Sequence, residues 1–327
     1  MRPRPRRGRE GEWTYGVLVG VGAASAPAFL GLIVVVLVAF AWPSIIWNGL
    51  HFFTSEAWQL GNLYQGAPVV RAGYKAAPGA SYGMVVFAVG TILSSLIALV
   101  LAVPVGIGVA ATLSEQAGPR LGAILGFFVE LIAGVPSVVF GLWGFIVLVP
   151  WIRTTLGPLL VRLLGWIPFF GQPVSSGAGL LASGLVLAVM ILPIIAAISR
   201  DALRAAPLEL REQGRALGLT DWEVLRGLLL PVAWPGIVGG ITLALGRALG
   251  ETMAVLMVSG GALGYLPQNI YSPISTVASN VVALLDSAQT DSTGMAVHAL
   301  AELALVLLVI TVAVNALAPL AARRGHA

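Results

Sequence analysis

LELREQGRALGLTDWEVLRGLLLPVAWPG, residues 208–236, carries most of the one sizeable hydrophilic block in an otherwise apolar chain. Pro207 suits the entry to a helix and Gly218 the position just past its end, which predicts a helix over 208–217. Thr220, with Glu223 three residues on, matches a capping box ahead of an apolar run, so a second helix starts at once. On the first helix Leu210, Gly214 and Leu217 recur at the spacing of one face, and Glu209, Glu212 and Arg215 fall largely elsewhere. A small residue midway along an apolar stripe lets another surface come close. The first helix is therefore expected either to insert into a partner's groove or to rest on a membrane surface.

Outward from this block, the 327 residues are 58% hydrophobic and 10% charged, against about 25% charged in an ordinary soluble domain. The apolar residues gather in runs of roughly 20 or more, the length a helix needs to cross the hydrocarbon layer. The expectation is an all-α integral membrane protein of about six transmembrane helices, over residues 19–42, 82–113, 121–149, 177–198, 236–258 and 295–317. Several runs exceed the spanning length, so tilts or kinks are expected at Pro104, Pro136 and Pro193. With both termini inside, thirteen basic residues fall in cytoplasmic segments and four in external ones, with Arg247 inside a span; such an excess fixes orientation. Arg2, Arg4, Arg6, Arg7 and Arg9 then form a basic cytoplasmic tail, residues 1–16, which reads as a topology signal and not a nucleic-acid site. The apolar run at 17–41 outlasts a signal h-region and no small-x-small site follows it, so it reads as the first span.

The chain has no cysteine and three scattered histidines, His51, His298 and His326, which excludes thiolate chemistry and leaves no local metal motif. The long external loops, 43–81 and 259–294, read either as connections or as a docking surface. Residues 159–166, between Gly157-Pro158 and Pro168, read as a short interfacial helix. Four charges fall within expected spans: Glu130, Arg247, Glu251 and Glu302. Each would cost some 2.5 kcal/mol or more against lipid, so each should face protein or an aqueous path. Arg247 and Glu251 are four apart, so on a continuous helix they could pair; they are either a self-neutralising ion pair or an anion-binding arginine held by its neighbour, and an arginine fork matches phosphate oxygens. Glu130 and Glu302 are expected to be structural, either paired across helices with Arg247 or bonded to a backbone amide or hydroxyl. Ser137, beside Pro136, either satisfies the carbonyl that the proline frees or donates to a passing oxyanion.

The order Glu212-Gln213-Gly214, Gly218, then Leu229-Leu230-Pro231 and Pro235-Gly236 resembles the EAA loop of binding-protein-dependent ABC importer permeases, with Gln213 and Gly214 where alanines are usual. GVPSVVFGLWG (134–144), residues 218–236 and GRALGETMAV (246–255) resemble the phosphate-specific permeases, the last being closer to the PstC type than to PstA. The resemblance implies a type I ABC importer permease fold with a core over 82–318 and a cytoplasmic coupling loop over 199–235. It implies a PstA-like second permease, two ATP-binding subunits and an external phosphate-binding protein. Arg247, Glu251 and Ser137 would lie on the substrate pathway, while Leu210, Glu212, Gly214, Leu217 and Gly218 would couple to an ATPase. No Gly-x4-Gly-Lys-Ser/Thr loop occurs, so ATP and magnesium would belong to partner subunits and this chain would be non-catalytic with no cofactor of its own. The setting implied is the plasma (inner) membrane of a prokaryote. An importer of another oxyanion, molybdate or sulfate, or a secondary transporter are the competing expectations.

Overall fold

The computed structural model describes residues 9–63, 66–171 and 176–324; most of the basic tail lies outside them. Among the described residues, six helical stretches are long and apolar enough to cross a membrane: Tyr15–Asn48, Val85–Gln116, Ser137–Leu164, Leu180–Arg204, Asp221–Leu249 and Met295–Leu317. The first belongs to α1 (Arg9–Asn48), which a short α2 (His51–Thr54) follows. The second is α3 (Val85–Ala111) with a π-helical turn, Thr112–Gln116.

Two spans differ from expectation. The third was expected at 121–149 but is interrupted: α4 (Pro119–Ala133) stops and α5 (Ser137–Trp143) begins after Pro136, which is extended at ψ 139°. Pro136 has no N–H for the ladder and pushes Val135 out of the helical region. The span proper then runs through a π-turn (Gly144–Leu148), α6 (Val149–Trp151), a second π-turn (Ile152–Leu156) and α7 (Gly157–Leu164). Residues 159–164 thus finish the third span, and the expected separate interfacial helix is corrected. After α8 (Leu180–Arg204) come α9 (Leu208–Ala216) and α10 (Asp221–Val224), which passes through a π-turn (Leu225–Leu229) into α11 (Leu230–Leu249). The fifth span therefore begins at the capped Thr220, and only residues 205–220 remain outside long helices where a loop to 235 was expected. It ends at Gly250; α12 (Met253–Val258) resumes after a break, so the expected continuous helix over 236–258 is corrected too.

The π-turns have a local cause. Three of them end two residues before Pro150, Pro158 and Pro231. A helical proline ring strikes the carbonyl four residues back, and that residue lies at the centre of each π-turn, where the widened ladder gives it room. Pro104 and Pro193 instead lie inside the unbroken helices α3 and α8.

The helices pack through glycines. A Cβ at Gly184 would lie 2.4 Å from Ile97, and one at Gly106 2.8 Å from Ile195, so α3 and α8 run side by side in the same direction. Gly236 meets Ala202 and Gly240 meets Ile198, which lays α11 antiparallel on α8. The last span belongs to α14 (Met295–Arg324), and α1 lies against it at the edge of the bundle.

The external loops, expected as plain connections or a docking surface, build a folded layer. Strands β1 (Trp58–Gln59) and β4 (Ser81–Tyr82) pair antiparallel, as do β2 (Val69–Arg71) and β3 (Tyr74–Ala76). The β2–β3 turn has Ala72 and Gly73 at positive φ. Trp47, Phe52, Trp58, Tyr82 and Phe87 form one buried cluster with Val277 and Ala288 of α13 (Val277–Gln289) and the start of α14. The tryptophan-rich composition of these loops is thus core, not connection.

Candidate functional site

The two helix interruptions lie side by side. Gly141 of α5 faces Met253, Ala254 and Met257, and Gly144 faces Val258, so α5 and α12 run parallel and in close contact. Ser137 opens α5 one turn before Gly141, which puts it toward the start of α12, where the second break lies. Ser137 is half-buried, in the first turn of α5, and makes no hydrogen bond among the described residues.

Arg247 sits in the last turn of α11, just below the second break. The antiparallel register of Gly236 on Ala202 and Gly240 on Ile198 continues to place Arg247 level with Ile191, about halfway along α8. Arg247 is exposed on the outside of this chain's own bundle and forms no ion pair among the described residues. The expected Arg247–Glu251 pair is corrected: the helix ends between them, so the spacing that would bring them together is lost. Glu251 is buried, and its Oε1 accepts the Ala254 N–H at 3.2 Å. A carboxylate there satisfies an otherwise free donor and complements the positive end of α12.

The other two carboxylates expected within spans find other partners, and Glu130 is corrected: it sits in α4, ahead of the third span. Glu130 of α4 accepts from Arg200 Nη2 of α8 at 3.0 Å, and Arg200 also reaches Asp201 at 3.0 Å. A Cβ at Gly126 would lie 2.5 Å from Arg200 Nη1, so the glycine makes room for the guanidinium. Glu302 of α14 is buried; Ser44 Oγ donates to its Oε2 at 2.6 Å and Asn48 Nδ2 at 3.3 Å. With the His298 Nδ1–H donating to the Phe40 carbonyl at 2.7 Å, this polar clasp holds the peripheral α1 on α14, and neither Glu130 nor Glu302 reaches Arg247.

At the opposite end, α9 and α10 form the helix pair expected from the sequence. Gly218 has φ +78°, the Gly218 N–H donates to Arg215 O and the Leu219 N–H to Gly214 O, a Schellman closure. Thr220 and Glu223 make the full capping box. One expectation is corrected: Gly214 does not open toward a partner. It is buried, and a Cβ there would lie 2.7 Å from Val224 and 3.0 Å from Leu228, so it lets α9 seat on the chain's own next helix. Leu210 is half-buried on the same side. Outward face Glu212, Leu217 at 81% exposure and Trp222 at 62%, beside a hollow of about 610 Å³ lined by Leu219, Trp222, Arg226 and Leu228.

Arg211, which sequence reasoning passed over, ties this region together. Its guanidinium meets both oxygens of Glu115, Nη2 at 2.9 Å and Nε at 3.1 Å, and donates to the carbonyls of Leu203 and Ala206 at 2.8 and 2.9 Å. Hydrogen bonding to Glu115 raises its already high pKa, so it stays charged at every physiological pH. Glu115 and Arg211 are 96 positions apart, and no periodicity links them.

The family described as "Binding-protein-dependent transport system inner membrane component" matches residues 102–324. The chain is 48% identical over 272 residues to "Phosphate transport system permease protein PstC 1" of Mycobacterium tuberculosis, covering 82% of this chain and 80% of that one. It is 37% identical over 294 residues to "Phosphate transport system permease protein PstC" of Mesorhizobium japonicum, covering 88% and 83%. A solved structure of the MetNI methionine ABC transporter in an inward-facing conformation is similar at 23% identity and a TM-score of 0.46, over 72% of this chain and 90% of that one. With six membrane-length helices among the described residues and the family match over 102–324 with these relatives, the chain belongs to the binding-protein-dependent transport system inner membrane components, as a multi-pass membrane protein.

Proposed function

We propose that this chain is one of two permease subunits of an ATP-driven importer of inorganic phosphate in the plasma membrane of a prokaryote, with both termini cytoplasmic. The observation that carries the reading is Arg247: a charged, unpaired side chain halfway across the membrane, on the outer face of a single chain. Facing lipid, it would cost some 2.5 kcal/mol or more. It therefore faces a surface that a second permease subunit completes, and between the two subunits lies a water-filled path. A planar guanidinium there suits a tetrahedral oxyanion, and the relatives named as phosphate transport permeases support phosphate as that anion.

Two cytoplasmic ATPase subunits carry ATP and magnesium, one of them seating on the exposed Leu217, Trp222 and Glu212 around the cytoplasmic hollow, and this chain binds no cofactor and catalyses nothing. An external phosphate-binding protein delivers the anion to the folded outer layer. Arg247 receives it, Ser137 offers a hydroxyl level with the break beside it, and Glu251, committed to the α12 N-terminus, stays out of the anion's way. ATP binding and hydrolysis shift the assembly between outward-open and inward-open states, each favoured by its own ligand contacts.

The test is uptake of labelled phosphate into proteoliposomes that hold the co-expressed complex, with binding protein outside and ATP inside. The reading expects uptake that requires ATP and withstands a hundredfold excess of sulfate or molybdate. Uptake of one of those anions in place of phosphate would overturn the substrate, and uptake without ATP would overturn the importer.

A further inference from the structure

Helix α4 is fastened in an unusual way. Its buried positions are Gly122 and Gly126, while Leu121, Ile124, Phe127, Phe128 and Leu131 are exposed. It packs mainly on α8, and from α3 it is separated by an apolar groove of about 470 Å³ lined by Val109, Leu113, Leu125, Phe128 and Ile132. With so little side-chain burial, its position relative to the bundle depends on charged ties. One is Arg200 to Glu130, near its far end. The other is at its start, where Glu115 in the π-turn just before it is gripped by Arg211 of α9.

The second tie is the stronger by geometry. Both partners are largely buried, with side-chain exposures of 15% for Arg211 and 13% for Glu115. The contact is a two-pronged fork, the arrangement that fixes orientation as well as distance. Ser114 also donates to Glu115, and Arg204 of α8 donates to the Leu113 carbonyl at 3.1 Å in the same π-turn. Arg211 gives two further hydrogens to the carbonyls of Leu203 and Ala206, so one guanidinium joins α9, the end of α8 and the turn that leads into α4. α4 in turn runs to the Gly134–Pro136 interruption and so to Ser137.

We infer that the Arg211–Glu115 fork is the positioning contact through which displacement of the cytoplasmic helix α9 moves α4 and the interruption above it, so that ATPase motion reaches the substrate path by this route. The inference rests on the reading of the chain as an ATP-driven permease. Breaking the fork leaves α9 free to follow the ATPase while α4 stays behind. Hydrolysis then continues and transport does not.

The chain contains no cysteine, which permits a direct test in the full complex with cysteine-free partner subunits. Glu115→Cys with Arg211→Cys should retain ATP hydrolysis within about twofold of native while uptake per ATP falls at least tenfold. Bridging the two thiols with a bis-methanethiosulfonate spacer of side-chain length should restore uptake, and reductant should abolish it again; each single cysteine, treated alike, should stay uncoupled. Normal uptake per ATP in the unbridged double variant, or no recovery on bridging, would overturn the inference. Should the cysteine pair fail to assemble, Glu115→Gln, which keeps the shape and one acceptor, should still lower uptake per ATP at least threefold; an unchanged ratio would overturn it equally. The native complex is measured first with phosphate, sulfate and molybdate, and the ratio is taken for whichever it moves, so an error in the substrate is seen separately from an error in the link.

Discussion

Gly214 and Gly218, four residues apart, are glycine for different reasons. Gly218 closes α9 at φ +78° with open space where a Cβ would go, so its requirement is conformational. A left-handed backbone costs an L-residue about 1–2 kcal/mol. Gly218→Val should therefore lower the stability of the α9–α10 pair by that amount, seen as faster amide exchange across residues 208–224; unchanged exchange would mean the turn relaxes without strain. Gly214 has the reverse requirement. Its backbone is ordinary helix, and a side chain there meets Val224 and Leu228. Both glycines stood out in the sequence, but only the turn glycine could be assigned its role there, because a positive-φ cap is a local signal and the surface a buried helix face meets is not.

At the scale of elements, that difference separates folding from docking. Gly214→Trp should prise α9 off α10 and lower the yield of folded chain, whereas Leu217→Asp should leave the fold intact and reduce co-purification of the ATPase at least tenfold, because Leu217 is exposed and its neighbours are not disturbed. Undiminished ATPase binding in folded Leu217→Asp would remove that face from the docking surface. The number of spans, the Schellman turn and the capping box were legible in the sequence because each rests on composition or on residues within one or two turns. The two interruptions were less so. Pro136 signalled a disturbance, but the apolar sequence on either side of 134–136 and of 250–252 hid that the helices stop, and so the i, i+4 pairing of Arg247 with Glu251 was expected where none forms. The partners of Glu130, Glu302 and Arg211 lie 70, 258 and 96 positions away, and tertiary packing alone selects them.

At the scale of the molecule, the structure has a folded layer of loops at one end, a bundle that exposes apolar surface on most sides, and a knot of arginines and carboxylates at the other end. Orientation rests on the basic residues and is open to a simple check, since any introduced cysteine is the only one. An impermeant maleimide should label Lys75→Cys, exposed on β3, in intact cells, and Gln116→Cys, exposed before α4, only in inverted vesicles; the opposite pattern would invert every assignment of side made here. The charge distribution also has a functional logic. Glu130, Glu251, Glu302 and Arg200 are all engaged within the chain, whereas Arg247, level with the middle of α8, has no partner of its own among the described residues. A bundle that pairs or hydrogen-bonds these four groups and leaves the arginine at mid-depth open is prepared for an anion that arrives from outside the chain.

That claim is tested most directly by comparing native and Arg247→Gln complexes, matched for assembly and for ATP hydrolysis, in uptake of labelled phosphate into proteoliposomes supplied with binding protein and ATP. The account predicts a fall of at least tenfold in uptake with the complex intact, and a smaller fall for Arg247→Lys, which keeps the charge without the fork. Native uptake by Arg247→Gln would contradict it, and would make Arg247 a structural residue whose partner lies on the second subunit.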